Sequence, residues 1–270
     1  MAPAFITFLS DFGLQDDFVG TCHGVIKRIS PEAEIIDITH GIQPRQVLQG
    51  ALVLASTVPY MPVGVHLAVV DPGVGSTRRA VVLTGRDGRR YVGPDNGLLV
   101  TAAERLGGVG SAHELTSPAH RLEPVSATFH GRDVFSPAAA HLATGVEPGE
   151  LGPPVDPDTL VRLALPVAEV ERGRIRATIL AIDRFGNLQL NLDSEQLERA
   201  GIEPGARLEL ELRGGRSAAL AGRTFSDAAP GETVVYVNPY GSVSVAVSSG
   251  DAAHDLSLAP GQELRITVAR

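Results

Sequence analysis

Apolar and polar residues follow two different patterns in the first half of the chain. Short apolar runs are typical of buried strands, and apolar residues three or four positions apart are typical of helices. The pattern predicts strands at Phe5–Leu9, Glu34–Thr39, Val65–Asp71, Ala80–Thr84 and Arg89–Gly93. It predicts helices within Phe18–Ile29, Val47–Ala55, Gly97–Gly107 and Arg132–Gly145. Such alternation predicts a mostly parallel sheet covered by helices.

The pattern of apolar and polar residues changes after a proline-rich stretch that contains Pro153, Pro154 and Pro157. Prolines at this density suit a connector, so we expect one domain over residues 1–165 and a second over 170–270. Strand-like runs dominate the second half, at 174–183, 187–192, 206–212, 233–238, 242–247 and 263–269. Turns are expected at Arg213–Arg216 and Asn238–Gly241. Short strands at close spacing predict a small antiparallel barrel or sandwich.

Composition narrows the classes of function. A formal charge of −8 offers no bulk attraction to phosphate backbones, and 4% aromatic residues without tryptophan leave few stacking surfaces, so we expect no nucleic-acid partner. No apolar run is long enough to span a bilayer, and the first residues lack a basic secretion signal, so we expect a cytoplasmic protein without membrane contact. The single cysteine, Cys22, excludes internal disulfides. An enzyme or a small-molecule binder remains.

Carboxylates fall where two predicted strands end. Asp11 and Asp71 occupy such positions, and ligands of open α/β sheets bind beyond the carboxyl ends of the strands. Each could instead cap the element that follows, although two together favour a site. Asp71 opens the segment DPGVGSTRR, whose glycines allow a tight turn. Either Arg78 or Arg79 could fold back on the Asp71 carboxylate.

Two further segments carry candidate chemistry. His130 stands in FHGRD, at a loop-to-helix junction, whereas we expect the other seven histidines to be structural. Asp183, Phe185 and Asn187 share one turn, which could bind an amine and a base edge or could simply be a hairpin. HExxH motifs, cysteine clusters and GxSxG are absent from the sequence, so we expect neither a bound metal nor a serine nucleophile.

Seven motifs occur in an order that resembles the S-adenosyl-L-methionine (SAM) hydroxide adenosyltransferase family, whose halogenating relatives are the fluorinases and chlorinases. The resemblance covers essentially the whole chain. The motifs are LSDFGLQDDFVG, DITHGI, VVDPGVGSTRR, YVGPDNGLL, FHGRDVFSPAAAHLA, AIDRFGN and YVNPYG.

This resemblance implies an N-terminal α/β sandwich-like domain with a mostly parallel sheet and a C-terminal small antiparallel β-barrel. It implies attack of water on the ribose C5′ of SAM, which gives adenosine and L-methionine without a cofactor. It also implies a homotrimer whose sites lie between the N-terminal domain of one subunit and the C-terminal domain of its neighbour. A SAM- or nucleoside-binding sensor without turnover, or a SAM-dependent halogenase, remains an alternative.

The resemblance also implies roles for individual residues. Asp71, Arg78 and His130 match the family's hydrolytic triad, and which member accepts the proton stays open. The substrate contacts that the family implies fall on Asp11 for the ribose diol, on Thr128 and Phe129 against the ribose, and on Asp183, Phe185, Asn187, Phe225 and Ser249 around the adenine and the methionine.

The chain departs from the family pattern near the methionine end. Pro239 and Tyr240 replace a serine-containing turn, and Ser248 stands where asparagine is common, which leaves Ser249 backbone for the adenine. Arg45 could take over the substrate carboxylate. These differences concern the affinity for the substrate and the contacts at the methionine end, and they leave the triad positions intact.

Overall fold

The computed structural model describes residues 5–269, and the chain divides into two compact units, Met1–Leu163 and Ala164–Arg270. The division falls just after the proline-rich connector, two residues before the expected end of the first domain. Each unit has its own sheet and its own apolar core.

The first unit contains one seven-stranded sheet. Its strands are β1 (Phe5–Ser10), β2 (Glu34–Thr39), β3 (Val65–Val69), β4 (Ala80–Gly85), β5 (Arg90–Pro94), β6 (Val109–Glu114) and β7 (Pro154–Val155). They lie in the order β2-β1-β3-β5-β4-β6-β7. Neighbours among β2, β1, β3 and β5 are parallel, whereas β4, β6 and β7 add antiparallel pairs, so the predicted mostly parallel sheet is confirmed. The sequence pattern did not predict β6 or β7.

Helices cover both faces of this sheet. They are α1 (Phe18–Ile29), α2 (Val47–Thr57), α3 (Leu98–Arg105) and α4 (Ser136–Ala143). Successive residues of a strand point to opposite faces, so Phe8 of β1 packs in the core that contains α1 and α4, and Leu9 packs in the core that contains α2 and α3. Within residues 5–269, no helix has the length and apolarity needed to cross a membrane.

The second unit is a closed barrel of seven strands. The strands of this unit are β8 (Glu169–Glu171), β9 (Arg174–Ile182), β10 (Leu188–Asp193), β11 (Arg207–Leu212), β12 (Gly215–Ala221), β13 (Thr233–Val237), β14 (Ser242–Val247) and β15 (Glu263–Val268). The barrel has the order β10-β14-β13-β12-β11-β15-β9, and β9 pairs with β10 to close it, while β8 pairs with β9 as an additional strand. Two short helices, α5 (Ser194–Arg199) and α6 (Ala252–Asp255), decorate it.

The barrel differs from the expectation at two points. β12 and β13 are parallel, although the other neighbouring strands are antiparallel. The turn expected at Arg213–Arg216 is tighter than predicted, because Gly215 and Arg216 already pair with Leu212 and Glu211 as the start of β12. The consecutive glycines Gly214 and Gly215 are typical of turns, so the sequence pattern did not show that β12 begins at Gly215.

Candidate active site

The carboxyl ends of two neighbouring strands bring Asp11 and Asp71 to one edge of the first sheet. β1 pairs directly with β3, and each aspartate follows its strand within two residues. Burial raises the pKa of Asp11, with a smaller contribution from the Asp71 charge, whereas backbone hydrogen bonds act against the shift. One of those bonds comes from Arg45, whose backbone N–H donates to Asp11 Oδ2 over 2.8 Å. Arg45 adopts a left-handed φ of 69° to do so.

Arg78, rather than Arg79, folds back on Asp71. Arg78 Nε donates to both Asp71 carboxylate oxygens, at 2.9 and 3.1 Å, and Nη2 contacts Oδ2 as well. The loop can turn back because Gly75 has a φ of +76° and lies so close to the Ala127 carbonyl that a side chain would collide with it. Arg79 instead forms a salt bridge with Asp95 and donates to Thr159.

His130 is joined to this pair through the same guanidinium group. Arg78 Nη2 lies 2.9 Å from His130 Nδ1. Because arginine has only donors, Nδ1 must accept, which leaves the ring proton on Nε2. Burial lowers the pKa of His130 below its usual value, and the Arg78 charge lowers it further. His130 is therefore held as a neutral imidazole with a fixed tautomer, and its Nε2–H is a hydrogen-bond donor.

A π-helical turn, Gly131–Phe135, follows His130 and leads into α4. We predicted one continuous helix from Arg132, but the α-helix begins only at Ser136, next to Pro137, which has no N–H to donate. The turn buries Phe135 beneath the triad candidates, and the Arg78 guanidinium lies 5.0 Å from the centre of its ring. Phe135 thus packs against Arg78, although the sequence pattern showed it only as part of a helix.

Aromatic rings form a wall beside His130. Phe129 contacts Phe12 and Phe18 edge to face, at centroid distances of 6.0 and 5.3 Å. Thr128 is exposed next to this wall, and its hydroxyl lies 3.3 Å from Ser126 Oγ. Of the two predicted ribose contacts, Phe129 thus belongs to an apolar cluster, and Thr128 faces solvent.

We expect Gly131→Ala to lower the free energy of unfolding by about 1–3 kcal/mol, the usual cost of overfilling a packed site. A Cβ at this position would lie 2.8 Å from Phe12 Cζ and 3.4 Å from Phe129 Cε2. Gly20→Ala is the matched control, because nothing lies within 4 Å of its Cβ position in α1 and alanine favours the helix. Denaturant unfolding measures both variants. Equal stability of Gly131→Ala and the wild type would contradict the prediction, because it would show that the rings of Phe12 and Phe129 can shift without cost.

In the barrel, Asp183 organises the turn between β9 and β10. Its carboxylate accepts from the backbone N–H groups of Phe185 and Asn187, at 2.8 and 3.0 Å, and from Asn187 Nδ2 at 2.7 Å. The hairpin interpretation of this turn is therefore realised in the structure. Phe185 is left outside, with 68% of its surface exposed. The turn presents an aromatic ring and a carboxylate at the barrel surface.

Phe225 and Ser249 complete the predicted barrel residues. Phe225 packs edge to face on Tyr236 with ring centroids 4.9 Å apart, and burial raises the pKa of Tyr236, with Asp183 as the next cause. Strand pairing places Tyr236 opposite Ser244, which itself lies opposite Gln189, two residues after Asn187, so the rings lie near the Asp183 turn. Ser249 is exposed in a tight turn after β14, with a left-handed φ of 58°. Tyr236 begins the motif YVNPYG, but nothing in the sequence pattern distinguishes it as a site residue.

Within residues 5–269, one group of three His, Cys, Asp or Glu side chains is close enough to share a metal ion: His23, Asp37 and His40. Neither Asp71 nor His130 belongs to it. The Asp71 carboxylate is instead neutralised by Arg78, so the candidate active site relies on a guanidinium for positive charge.

Comparison with protein-family models identifies both halves of the chain. The model of the SAM hydroxide adenosyltransferase N-terminal domain matches residues 6–152, and that of the C-terminal domain matches residues 177–265. Together the two matches span most of the chain.

Characterised relatives and solved structures agree with these matches. A protein of Salinispora tropica named (R)-S-adenosyl-L-methionine hydrolase is 49% identical, with 99% of each chain covered. A protein of the same name from Thermus thermophilus is 41% identical, over 98% of this chain and 100% of the relative. A fluorinase of an Actinoplanes species is 31% identical, over 98% and 97%. A Thermotoga maritima protein structure superposes with a TM-score of 0.91 at 34% identity, covering 97% of this chain and 99% of that one.

Proposed function

The chain belongs to the SAM hydroxide adenosyltransferase family, and from this premise we propose that it hydrolyses SAM to adenosine and L-methionine. The observation that carries the proposal is the unbroken contact from Asp71 through Arg78 to His130. The family resemblance associates these three positions with hydrolysis and not with halogenation. Two relatives with the hydrolase name are more similar to this chain than the fluorinase is, at 49% and 41% against 31% identity.

The chemistry of SAM sets what these residues must do. Its sulfonium makes methionine a neutral thioether leaving group, so no acid is required at the sulfur. Water is a weak nucleophile, so one water molecule must be held in line behind C5′ while other water is excluded. The new O–C5′ bond forms as the C5′–S bond breaks, the bonding pair goes to sulfur, and the water loses one proton.

We assign different tasks to the three residues. His130 Nε2–H donates to the water oxygen and orients it, because Nδ1 is occupied by Arg78. Arg78 supplies positive charge that favours hydroxide character in the attacking oxygen. Asp71, whose two oxygens accept from Arg78, anchors the guanidinium, and the proton of the water passes to solvent.

Substrate recognition follows from the remaining residues. The Asp11 carboxylate suits the ribose diol, since its oxygens can accept from both hydroxyl groups. Thr128 and Phe129 lie next to His130, where the ribose would approach. On the barrel, Asp183, Phe185, Asn187, Phe225 and the Ser249 turn would receive the adenine and the methionine amine. The exposed Arg45 is our candidate for the methionine carboxylate.

Incubation with SAM tests the proposal directly. The purified protein should release adenosine and L-methionine in equal amounts, and excess chelator should not stop it, because the proposed roles need no metal. The relatives' names specify the R configuration at sulfur, so we expect the R epimer to be consumed and the S epimer to persist. Binding without product would support a sensor, and halide-dependent 5′-halo-5′-deoxyadenosine would support a halogenase. Either outcome contradicts the proposal.

We further propose that the working form is a homotrimer with sites shared between subunits. Large apolar side chains remain exposed in the single chain, both at predicted site residues of the barrel and next to those of the first unit, which is what an interface would cover. On the first unit, Leu14 is 76% and Phe18 40% exposed, and on the barrel Phe185 is 68% and Phe225 45% exposed. A cyclic trimer would enclose three equivalent sites.

Mixing two inactive variants distinguishes shared sites from complete ones. His130→Ala removes a first-unit residue, and Phe185→Arg places a long charged side chain in the proposed adenine pocket without disturbing a buried residue. If sites are shared, subunit exchange should restore activity, because some mixed interfaces join two intact halves. Exchange must be demonstrated separately with labelled subunits. Proven exchange without restored activity would contradict the shared-site proposal.

A further inference from the structure

A second cluster of functional side chains lies where α1 meets the end of β2, apart from the Asp71–Arg78–His130 contacts. Asp37 Oδ1 lies 2.9 Å from His23 Nε2 and 3.1 Å from His40 Nε2, and the three groups' ligand-type atoms are all within 4.8 Å of one another. We propose that His23, Asp37 and His40 form a binding site for a divalent transition-metal ion of the zinc class.

The separations match those of a metal centre. Tetrahedral zinc sites place nitrogen and oxygen ligands at about 2.0–2.2 Å from the ion, which puts neighbouring ligand atoms about 3.3 Å apart. The two distances to Asp37 Oδ1 are already close to that value. The separation of the two imidazole nitrogens is at most 4.8 Å, and the partly exposed His23 ring is the one that would adjust on binding. Two imidazoles and one carboxylate suit zinc and its neighbours better than calcium or magnesium, which prefer oxygen ligands.

His40 supplies an independent indication. The residue is buried, and its Nε2 makes no hydrogen bond with any described residue, because the 3.1 Å approach to Asp37 lacks hydrogen-bond geometry. A buried ring nitrogen without a partner is costly, and a metal ion would satisfy it. Its other nitrogen, Nδ1, lies 2.7 Å from Ser10 Oγ. Such a second hydrogen bond is typical of metal-binding histidines, because it fixes the ring orientation.

Packing holds the His40 ring in this position. The ring of Phe8 lies edge to face on it, with centroids 4.7 Å apart, and Phe8 is fully buried. His23 and Asp37 are reachable from solvent, with 30% and 42% of their side chains exposed, so an ion can enter. The site thus combines one rigid buried ligand with two accessible ones.

A metal ion here would brace the turn that carries Asp11. The His40 carbonyl accepts from the Gly13 N–H over 2.8 Å, and Ser10 Oγ accepts from the Phe12 N–H over 3.3 Å. Fixing His40 would therefore fix both sides of the segment from Ser10 to Gly13. We assign the ion this structural task, with no part in the proposed chemical step. Local spacing did not reveal it, because α1 brings His23 alongside residues 14 and 17 positions later.

Metal titration of the tag-free, chelator-treated protein tests the site. We expect Zn²⁺ to bind one ion per chain by calorimetry and to raise the Tm, and Co²⁺ to give visible ligand-field bands. His23→Gln and Asp37→Asn should each weaken binding at least tenfold, and Ser10→Ala about tenfold or more through the loss of its bond to His40.

His254→Gln is the matched control, because His254 also pairs with an aspartate, at 3.1 Å from Asp255, but is 85% exposed and lacks a third ligand. Its affinity for Zn²⁺ should equal that of the wild type. Circular dichroism verifies that each variant is folded. The absence of stoichiometric binding in the wild type, or binding that folded His23→Gln retains in full, would overturn the proposal.

Discussion

Replacing His130 by alanine is expected to lower kcat by about 10²–10⁴, the usual contribution of a positioned proton-transfer or orienting group. Asp71→Asn should cause a loss of the same order, because the amide has a single acceptor oxygen and cannot anchor the Arg78 guanidinium as the carboxylate does. The KM for SAM should change less than tenfold in both variants, since we place these groups against the water and not against the adenosine. Steady-state release of methionine measures both parameters.

The control for this prediction is His254→Ala, which removes an exposed histidine from the barrel and should leave kcat unchanged. The wild-type pH profile gives a second check. Burial and Arg78 lower the pKa of His130, so the required neutral form persists at neutral pH and is lost only as the pH falls through that lowered value. A His130→Ala variant with kcat within threefold of the wild type would remove His130 from the reaction.

Arg78→Met is expected to reduce both stability and activity. Only 11% of the Arg78 side chain and 6% of the Asp71 side chain are exposed, so the variant would leave a buried carboxylate without its partner. Breaking such a pair typically costs about 3–5 kcal/mol of unfolding free energy. Arg78→Lys should recover part of the stability but little activity, because a single ammonium cannot bind Asp71 and His130 with the same fork. Denaturant unfolding and methionine release measure the two effects.

Two comparisons make this prediction specific. Arg162→Met removes a half-exposed salt bridge with Glu104 at 3.3 Å and should cost less than about 1 kcal/mol. The double variant Asp71→Asn/Arg78→Met should be more stable than Arg78→Met alone, because it also removes the stranded charge. Additive losses in the double variant would show that the two side chains do not depend on each other.

Local periodicity was sufficient to predict much of the fold. The spacing of apolar residues gave the bounds of α1 and β2 as the structure has them, because each element buries one continuous face that a short window of sequence reveals. β6 and β12 were not predicted, because neither has such a continuous buried face. Gly110, Ser111 and Gly215 interrupt the alternation, and these strands are defined by their neighbours rather than by their own composition.

The sequence indicated which residues are candidates for the site and where they lie along the chain. It did not indicate which of them contact one another. A strand end followed by glycines marked Asp71, and a loop-to-helix junction marked His130. The choice of Arg78 over Arg79 depends on the turn at Gly75 and on Asp95, which takes the neighbouring guanidinium. The tautomer of His130 likewise depends on a contact made 52 positions away.

The sequence by itself therefore determined the two-part organisation and the helix-covered sheet, because these follow from interactions between near neighbours in the chain. It also indicated the candidate acidic, basic and histidine side chains, which are read directly from it. Only the tertiary structure decided the closure of the barrel between β9 and β10, the joining of Asp71, Arg78 and His130, and the meeting of His23 with Asp37 and His40. Each of these is a contact between segments that packing brings together, and the spacing of residues along the chain does not predict it.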